Sequence, residues 1–159
     1  YPAAIHASNS GCQINTILGS CVAVCMFDSL LKTGGMNHFM LPLWNGQGLA
    51  SPKYGNIAIE KLIDKMVSMG SQKRNLKAKI FGGAEVIETG ISQFNIGERN
   101  INIAKELLRD HKIPVVASSV GGKIGRKIFF FTDSGAVKQR YIEKQNVIQF
   151  EKKIIKKRS

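Results

Sequence analysis

The run Val22-Ala23-Val24-Cys25-Met26-Phe27 leaves this chain the fewest structural choices. Six apolar residues in a row, with β-branched Val at two of them, are too short for an ordinary helix and fit a buried strand. Residues 28–32 supply a short connection. Met36-Asn37-His38-Phe39-Met40-Leu41 then reads as a second strand, ended by Pro42. An antiparallel hairpin centred on Ser29 and Leu30 would set Cys21 opposite His38. Directly opposed residues on one face have Cβ atoms about 4.5–5.5 Å apart. A slip of one residue would move His38 to the other face.

That register matters because a thiol and an imidazole are the minimum equipment for covalent acyl chemistry on an amide. Cys21 closes the run Leu18-Gly19-Ser20-Cys21. The small residues Gly19 and Ser20 would let a substrate backbone approach. Their turn would also offer N–H groups to an oxyanion and keep Cys21 partly exposed. The competing reading is a buried apolar cysteine. His38 is open to the same choice, between a core histidine and a catalyst, and its place opposite Cys21 favours the catalyst. Cys25 would share the face of Cys21 but sit deeper, in the core. Cys12, His6 and His111 call for no function. A zinc site from Cys12, Cys21, Cys25 and His38 lacks any C-x-x-C pair and is the weakest reading.

The rest of the chain reads as alternating layers. Residues 56–69 form an amphipathic helix with Ile59, Leu62, Ile63 and Met66 on one stripe and Gly70 at its end. A short strand at residues 78–81 runs into Gly82-Gly83. Asn95 and Glu98 resemble a capping box at the start of a second helix, with Ile101, Ala104, Leu107 and Leu108 facing inward. Strands are expected at residues 115–118, 127–132 and 137–142, the last two joined by the turn Asp133-Ser134-Gly135. Strands on both sides of two amphipathic helices give an α+β domain or a layered α/β one. Gly82-Gly83 and Gly121-Gly122 fit no phosphate-loop pattern and are expected to serve close packing around the site.

Size and charge narrow the classes. The 159 residues suit one domain, at residues 1–150, with a basic tail at 151–159. The chain opens on Tyr1 rather than Met, so its natural start is expected upstream. No apolar run is long enough for a membrane span, and three unpaired-looking cysteines suit a reducing cytoplasm. Residues 1–50 hold one acid, Asp28, and one base, Lys32, so the net charge of +12 lies in the remainder. Such an excess favours an acidic partner or is simply a solvated lysine-rich surface. Nucleic-acid binding has only charge to support it, without a recognised motif.

Asn15-Thr16-Ile17-Leu18-Gly19-Ser20-Cys21-Val22-Ala23-Val24-Cys25, followed by Gly34-Gly35-Met36-Asn37-His38-Phe39-Met40-Leu41-Pro42, resembles the signature of CheD, the chemoreceptor glutamine deamidase family. Lys79-Ile80-Phe81-Gly82-Gly83-Ala84, Asn95-Ile96-Gly97-Glu98-Arg99-Asn100 and Gly121-Gly122-Lys123-Ile124-Gly125-Arg126 extend the match, in order, over about residues 14–140. The resemblance implies an α+β layered sandwich of mixed sheets similar to the catalytic domain of cytotoxic necrotizing factor toxins. It implies hydrolysis of glutamine side-chain amides on methyl-accepting chemoreceptors, with Cys21 as nucleophile, His38 as base and Thr16 as third member. No metal or cofactor is called for. It also implies binding to CheC, a response-regulator phosphatase, and leaves open a regulatory module that docks CheC or a receptor with little catalysis.

Overall fold

The computed structural model describes residues 3–44, 46–85 and 95–143. The expected basic tail at 151–159 lies outside them. Among the described residues the chain forms eight strands and two α-helices. In order they are β1 (Ile5–Ser8), β2 (Gln13–Leu18), β3 (Val22–Asp28), β4 (Thr33–Asn37), α1 (Gly55–Ser68), β5 (Lys77–Gly82), α2 (Ile96–Asp110), β6 (Val115–Val120), β7 (Arg126–Phe131) and β8 (Val137–Tyr141). A short 3₁₀ turn, Lys73–Asn75, precedes β5.

β3 organises three layers. It lies at the centre of a mixed sheet ordered β1-β4-β3-β5-β6, in which only β5 and β6 run parallel. Val22, Val24 and Met26 face the helices, against Ile59, Leu62 and Met66 of α1 and Ile101, Ala104 and Leu108 of α2. Cys21, Ala23, Cys25 and Phe27 face the other way, onto Leu18, Ile128 and Phe130 of a second, antiparallel sheet ordered β2-β7-β8. Both faces of β3 are covered, which is why its sequence is a continuous apolar run rather than an alternating one. This is the α+β layered arrangement expected, with two amphipathic helices and two sheets.

Two local expectations are corrected, and two strands form where the sequence pattern suggests none. The β3–β4 hairpin pairs Cys25 with Met36, Met26 with Gly35, Phe27 with Gly34 and Asp28 with Thr33, so its centre is Leu30–Leu31 rather than Ser29–Leu30. The Asp28 side chain sets the longer loop: its Oδ1 accepts from the N–H groups of Leu30 and Leu31, at 3.0 and 3.3 Å. Lys32, at φ +54°, closes it. Asn95 makes no capping box. It precedes α2 in the left-handed region, at φ +63°, without a side-chain cap bond. A capping side chain works from extended backbone, which directs it over the first turn. Finally, the N-terminal stretch that shows little pattern contains two strands, β1 and β2. Both are edge strands, and their partners lie far along the chain in β4 and β7.

Candidate active site

The two-residue change of register preserves the alternation of faces. Val22 and Phe39 form the next bridge, exchanging N–H···O bonds of 3.0 and 2.9 Å. Cys21 therefore stands opposite Met40, and His38 opposite Ala23. The thiol and the imidazole are diagonal neighbours on the face that looks toward the second sheet, not the directly opposed pair expected from the sequence. Diagonal neighbours in an antiparallel pair remain within reach of long or aromatic side chains.

His38 occupies the place where β4 stops following β3. Val24 N–H, which a regular ladder would give to a backbone carbonyl, donates instead to Asn37 Oδ1 at 2.9 Å. The carbonyl of His38 accepts from Ala3 N–H at 2.7 Å, on the β1 side. From this step the imidazole crosses the gap between sheets. Its Nδ1 lies 2.8 Å from Thr16 Oγ1 on β2. Both side chains are buried, as is that of Cys21, which is 5% exposed. Cys21 is thus more enclosed than its place after Gly19 and Ser20 suggests. Phe81, Leu18 and Ala23 pack around it. Cys25 is fully buried, and burial pushes its thiol far above the ordinary range, with nearby Lys79 opposing the shift more weakly.

The backbone around Cys21 is held on several sides. Gly83 N–H donates to Cys21 O at 2.8 Å and Ala84 N–H to Gly19 O at 2.9 Å. Gly82 has φ +105°, and a Cβ there would stand 2.2 Å from Cys21 O, so this position admits only glycine without displacement. Gly97 makes the same allowance on α2, where a Cβ would meet Gly83 O at 2.3 Å. The Gly82-Gly83 pair thus serves close packing beside Cys21. Gly121-Gly122 is one step further out: Gly121 N–H bonds Gly82 O, and Gly122 O accepts from Glu85 N–H. The buried Arg126 guanidinium holds that loop through the carbonyls of Ser119 and Gly121.

Two further residues escaped the sequence reading. Asn37 is the surrogate ladder acceptor. Asn100 of α2 donates from Nδ2 to Ser20 O and to Met40 O, each at 3.0 Å. A signal for Asn100 exists in the sequence: it is a polar residue on the inward stripe of an amphipathic helix, beside Ile101 and Ala104. His6 lies on β1 and Cys12 is exposed beside Thr132. His111, at the end of α2, is tied to Glu60 Oε1 and Lys73 Nζ, both at 2.6 Å, far along the chain from the Cys21 cluster.

The family model for CheD chemotactic sensory transduction matches residues 40–141. A relative from Trichlorobacter lovleyi, named probable chemoreceptor glutamine deamidase CheD, is 51% identical over 137 residues, covering 86% of this chain and 85% of that relative. The chain belongs to the CheD family. A second CheD relative of the same name, from Sulfurimonas denitrificans, is also 51% identical over 137 residues, with 82% and 85% coverage. One from Shewanella oneidensis, named probable chemoreceptor glutamine deamidase CheD 1, is 41% identical over 146 residues, with 89% and 70% coverage. The matched region of the CheD model begins after His38, so it identifies the family from the body of the domain rather than from the Cys21–His38 segment.

Proposed function

We propose that this protein hydrolyses glutamine side-chain amides on chemoreceptors, giving glutamate and ammonia, with Cys21, His38 and Thr16 as its catalytic group. The observation that carries this reading is the Thr16–His38 bond at 2.8 Å between two buried side chains, one on β2 and the other just past the end of β4. An imidazole oriented through Nδ1 directs Nε2 at its task, and Cys21 is its diagonal neighbour on the same face of β3. The CheD relatives supply the substrate class through their names.

The steps follow from these groups. The Cys21 thiol gives its proton to His38 Nε2; the sulfur then attacks the glutamine carboxamide carbon, and the carbonyl electron pair moves onto oxygen. Backbone N–H groups at Ser20 and Cys21 stabilise that oxyanion, at roughly 2.7–4 kcal/mol per donor. As the tetrahedral centre collapses, the C–N bond breaks and His38 gives its proton to the departing nitrogen, which leaves as ammonia. His38 then takes a proton from water as that water attacks the thioester. The C–S bond breaks, returning the Cys21 thiolate beside protonated His38, and the acid product loses its proton to solvent as carboxylate. Thr16 Oγ1 accepts from Nδ1–H of neutral and protonated His38 alike, so the ring keeps one orientation through the cycle. Gly19 leaves room for the substrate backbone.

The same reading places the enzyme in the cytoplasm with the signalling parts of its receptors. No helix among the described residues is long and apolar enough to cross a membrane, which is compatible with that placement. CheC is proposed as a partner, and the fold as kin to the catalytic domain of cytotoxic necrotizing factor toxins. Mass spectrometry of receptor treated with this protein tests the function. Selected glutamine peptides should gain about 1 Da, the change from amide to acid, with release of ammonia. Cys21→Ala should leave them unchanged. Receptor peptides unchanged by the wild-type protein would refute the reading.

A further inference from the structure

Asn100 is fully buried on the face of α2 that packs against the five-stranded sheet. Burying an amide costs about 1–3 kcal/mol where its hydrogen bonds are not replaced. Here Nδ2 is satisfied twice, but Oδ1 has no partner among the described residues. An aliphatic residue would avoid that cost but would leave the Ser20 and Met40 carbonyls without this donor. The two carbonyls it holds are informative. Ser20 O belongs to the peptide unit that Ser20 shares with Cys21. Met40 O belongs to the residue that faces Cys21 across the hairpin.

A trans peptide unit is planar, with its C=O and N–H pointing in opposite directions. Drawing Ser20 O toward Asn100 therefore fixes the N–H of Cys21 in the direction away from α2. The Met40–Leu41 unit behaves the same way: Met40 O turns to Asn100 and Leu41 N–H turns to Lys53 O, at 3.0 Å. One amide thus sets the peptide plane at the proposed nucleophile and ties it to the segment after β4 that carries His38.

We infer that Asn100 is a positioning residue for deamidation: it holds the Ser20–Cys21 peptide in the orientation from which the Cys21 N–H donates to the oxyanion on the glutamine carboxamide. The inference rests on the reading of Cys21 as nucleophile. Asn100 touches neither substrate nor sulfur. Its contribution appears only in steps where negative charge develops on the carbonyl oxygen, which are thioester formation and thioester hydrolysis.

This separates two reactions of one thiol. When iodoacetamide alkylates Cys21, sulfur attacks the CH₂ carbon and iodide leaves with the bonding pair. No oxyanion forms, so the rate reports thiolate and access alone. The experiment compares full-length wild type, Asn100→Ala and Asn100→Asp. It measures kcat and KM for receptor deamidation and follows alkylation at Cys21 by peptide mass spectrometry. In Asn100→Ala, kcat should fall about tenfold to a hundredfold, less than the roughly 10²–10³ for outright loss of an oxyanion donor. KM and Cys21 alkylation should each stay within about twofold.

Asn100→Asp keeps the volume and serves where the alanine variant does not fold. Burial raises a carboxyl's pKa, so at low pH its O–H still donates to one carbonyl, whereas the ionised form opposes both. Deamidation by this variant should decline as pH rises while Cys21 alkylation climbs. Wild-type kcat in a folded Asn100→Ala protein, or an equal fall of deamidation and alkylation in both variants, would overturn the inference. A wild type that leaves receptor glutamines intact would refute the deamidase reading itself, and this inference with it.

Discussion

The two ends of β3 are held by different means. Toward the hairpin, backbone pairs with β4 run unbroken from Cys25 to Asp28, and the Asp28 carboxylate caps the turn. Toward Cys21, side chains take over. Asn37 stands in for a carbonyl at Val24, Asn100 grips Ser20 and Met40, and only the Val22–Phe39 bridge restores the ladder. A regular ladder satisfies every backbone group but fixes each side chain at its place on the pleat. Leaving the ladder frees the angle at which His38 crosses to Thr16, and amide side chains then satisfy the backbone groups that are released. The proposed catalytic group stands where β3 and β4 part from a regular ladder.

The proposed catalytic residues should respond most strongly to substitution. Cys21→Ala and His38→Ala should each lower deamidation by about a thousandfold or more, and the double variant should be little worse, because the two act as one unit. Thr16→Ala removes only the orienting partner and should cost about tenfold to a hundredfold in kcat. Cys25→Ala, further along the same strand, should keep most activity. Steady-state ammonia release measures all four. Equal loss in Cys21→Ala and Cys25→Ala would mean that the integrity of the strand matters rather than the thiol.

The next test sets the two ends against each other in stability. Asn37→Ala leaves the buried Val24 N–H without its acceptor and should cost about 2 kcal/mol. Asp28→Ala frees the N–H groups of Leu30 and Leu31, residues that are 75% and 49% exposed, so water can replace the lost acceptor. About 1 kcal/mol is expected there. Denaturant unfolding of both variants measures the order. A costlier Asp28→Ala would show that the turn, not the side-chain surrogate, is what holds the hairpin.

The same contrast explains what was legible in the sequence. β3, α1 and α2 follow from a continuous apolar run and two helical stripes, signals that a covered strand and amphipathic helices impose on any sequence. The facing of Cys21 and His38 survived an error of two residues in the register, because only an odd shift exchanges faces. The loop length was not legible. It depends on one carboxylate turning back to two N–H groups and on Lys32 adopting positive φ. β1 and β2 were hidden because they are short edge strands whose pairing lies in partners remote in sequence. Thr16 was therefore reached through the family resemblance alone. Asn37 and Asn100 act through the backbone of other segments, and a sequence pattern carries little trace of such contacts.

A subtler difference separates the two thiols that share a face of the β3 segment. In the proposed mechanism Cys21 must shed its proton, whereas Cys25 is held as a neutral thiol by burial, with its pKa raised well above the ordinary value of about 9.0 despite nearby Lys79. In the unfolded chain Cys25 ionises near that ordinary value. Between the two values the unfolded state has lost a proton that the folded state still binds, so stability falls as pH rises. The contribution is complete below the unfolded pKa and is lost progressively above it, at up to about 1.4 kcal/mol per pH unit for one proton. Thermal unfolding from about pH 8 to about pH 10 should show a shallower decline for Cys25→Ala than for wild type, although the variant starts slightly less stable from its small cavity. Parallel declines would mean that Cys25 ionises in the folded protein. The site end of β3 and its interior would then not differ in how they hold a thiol proton.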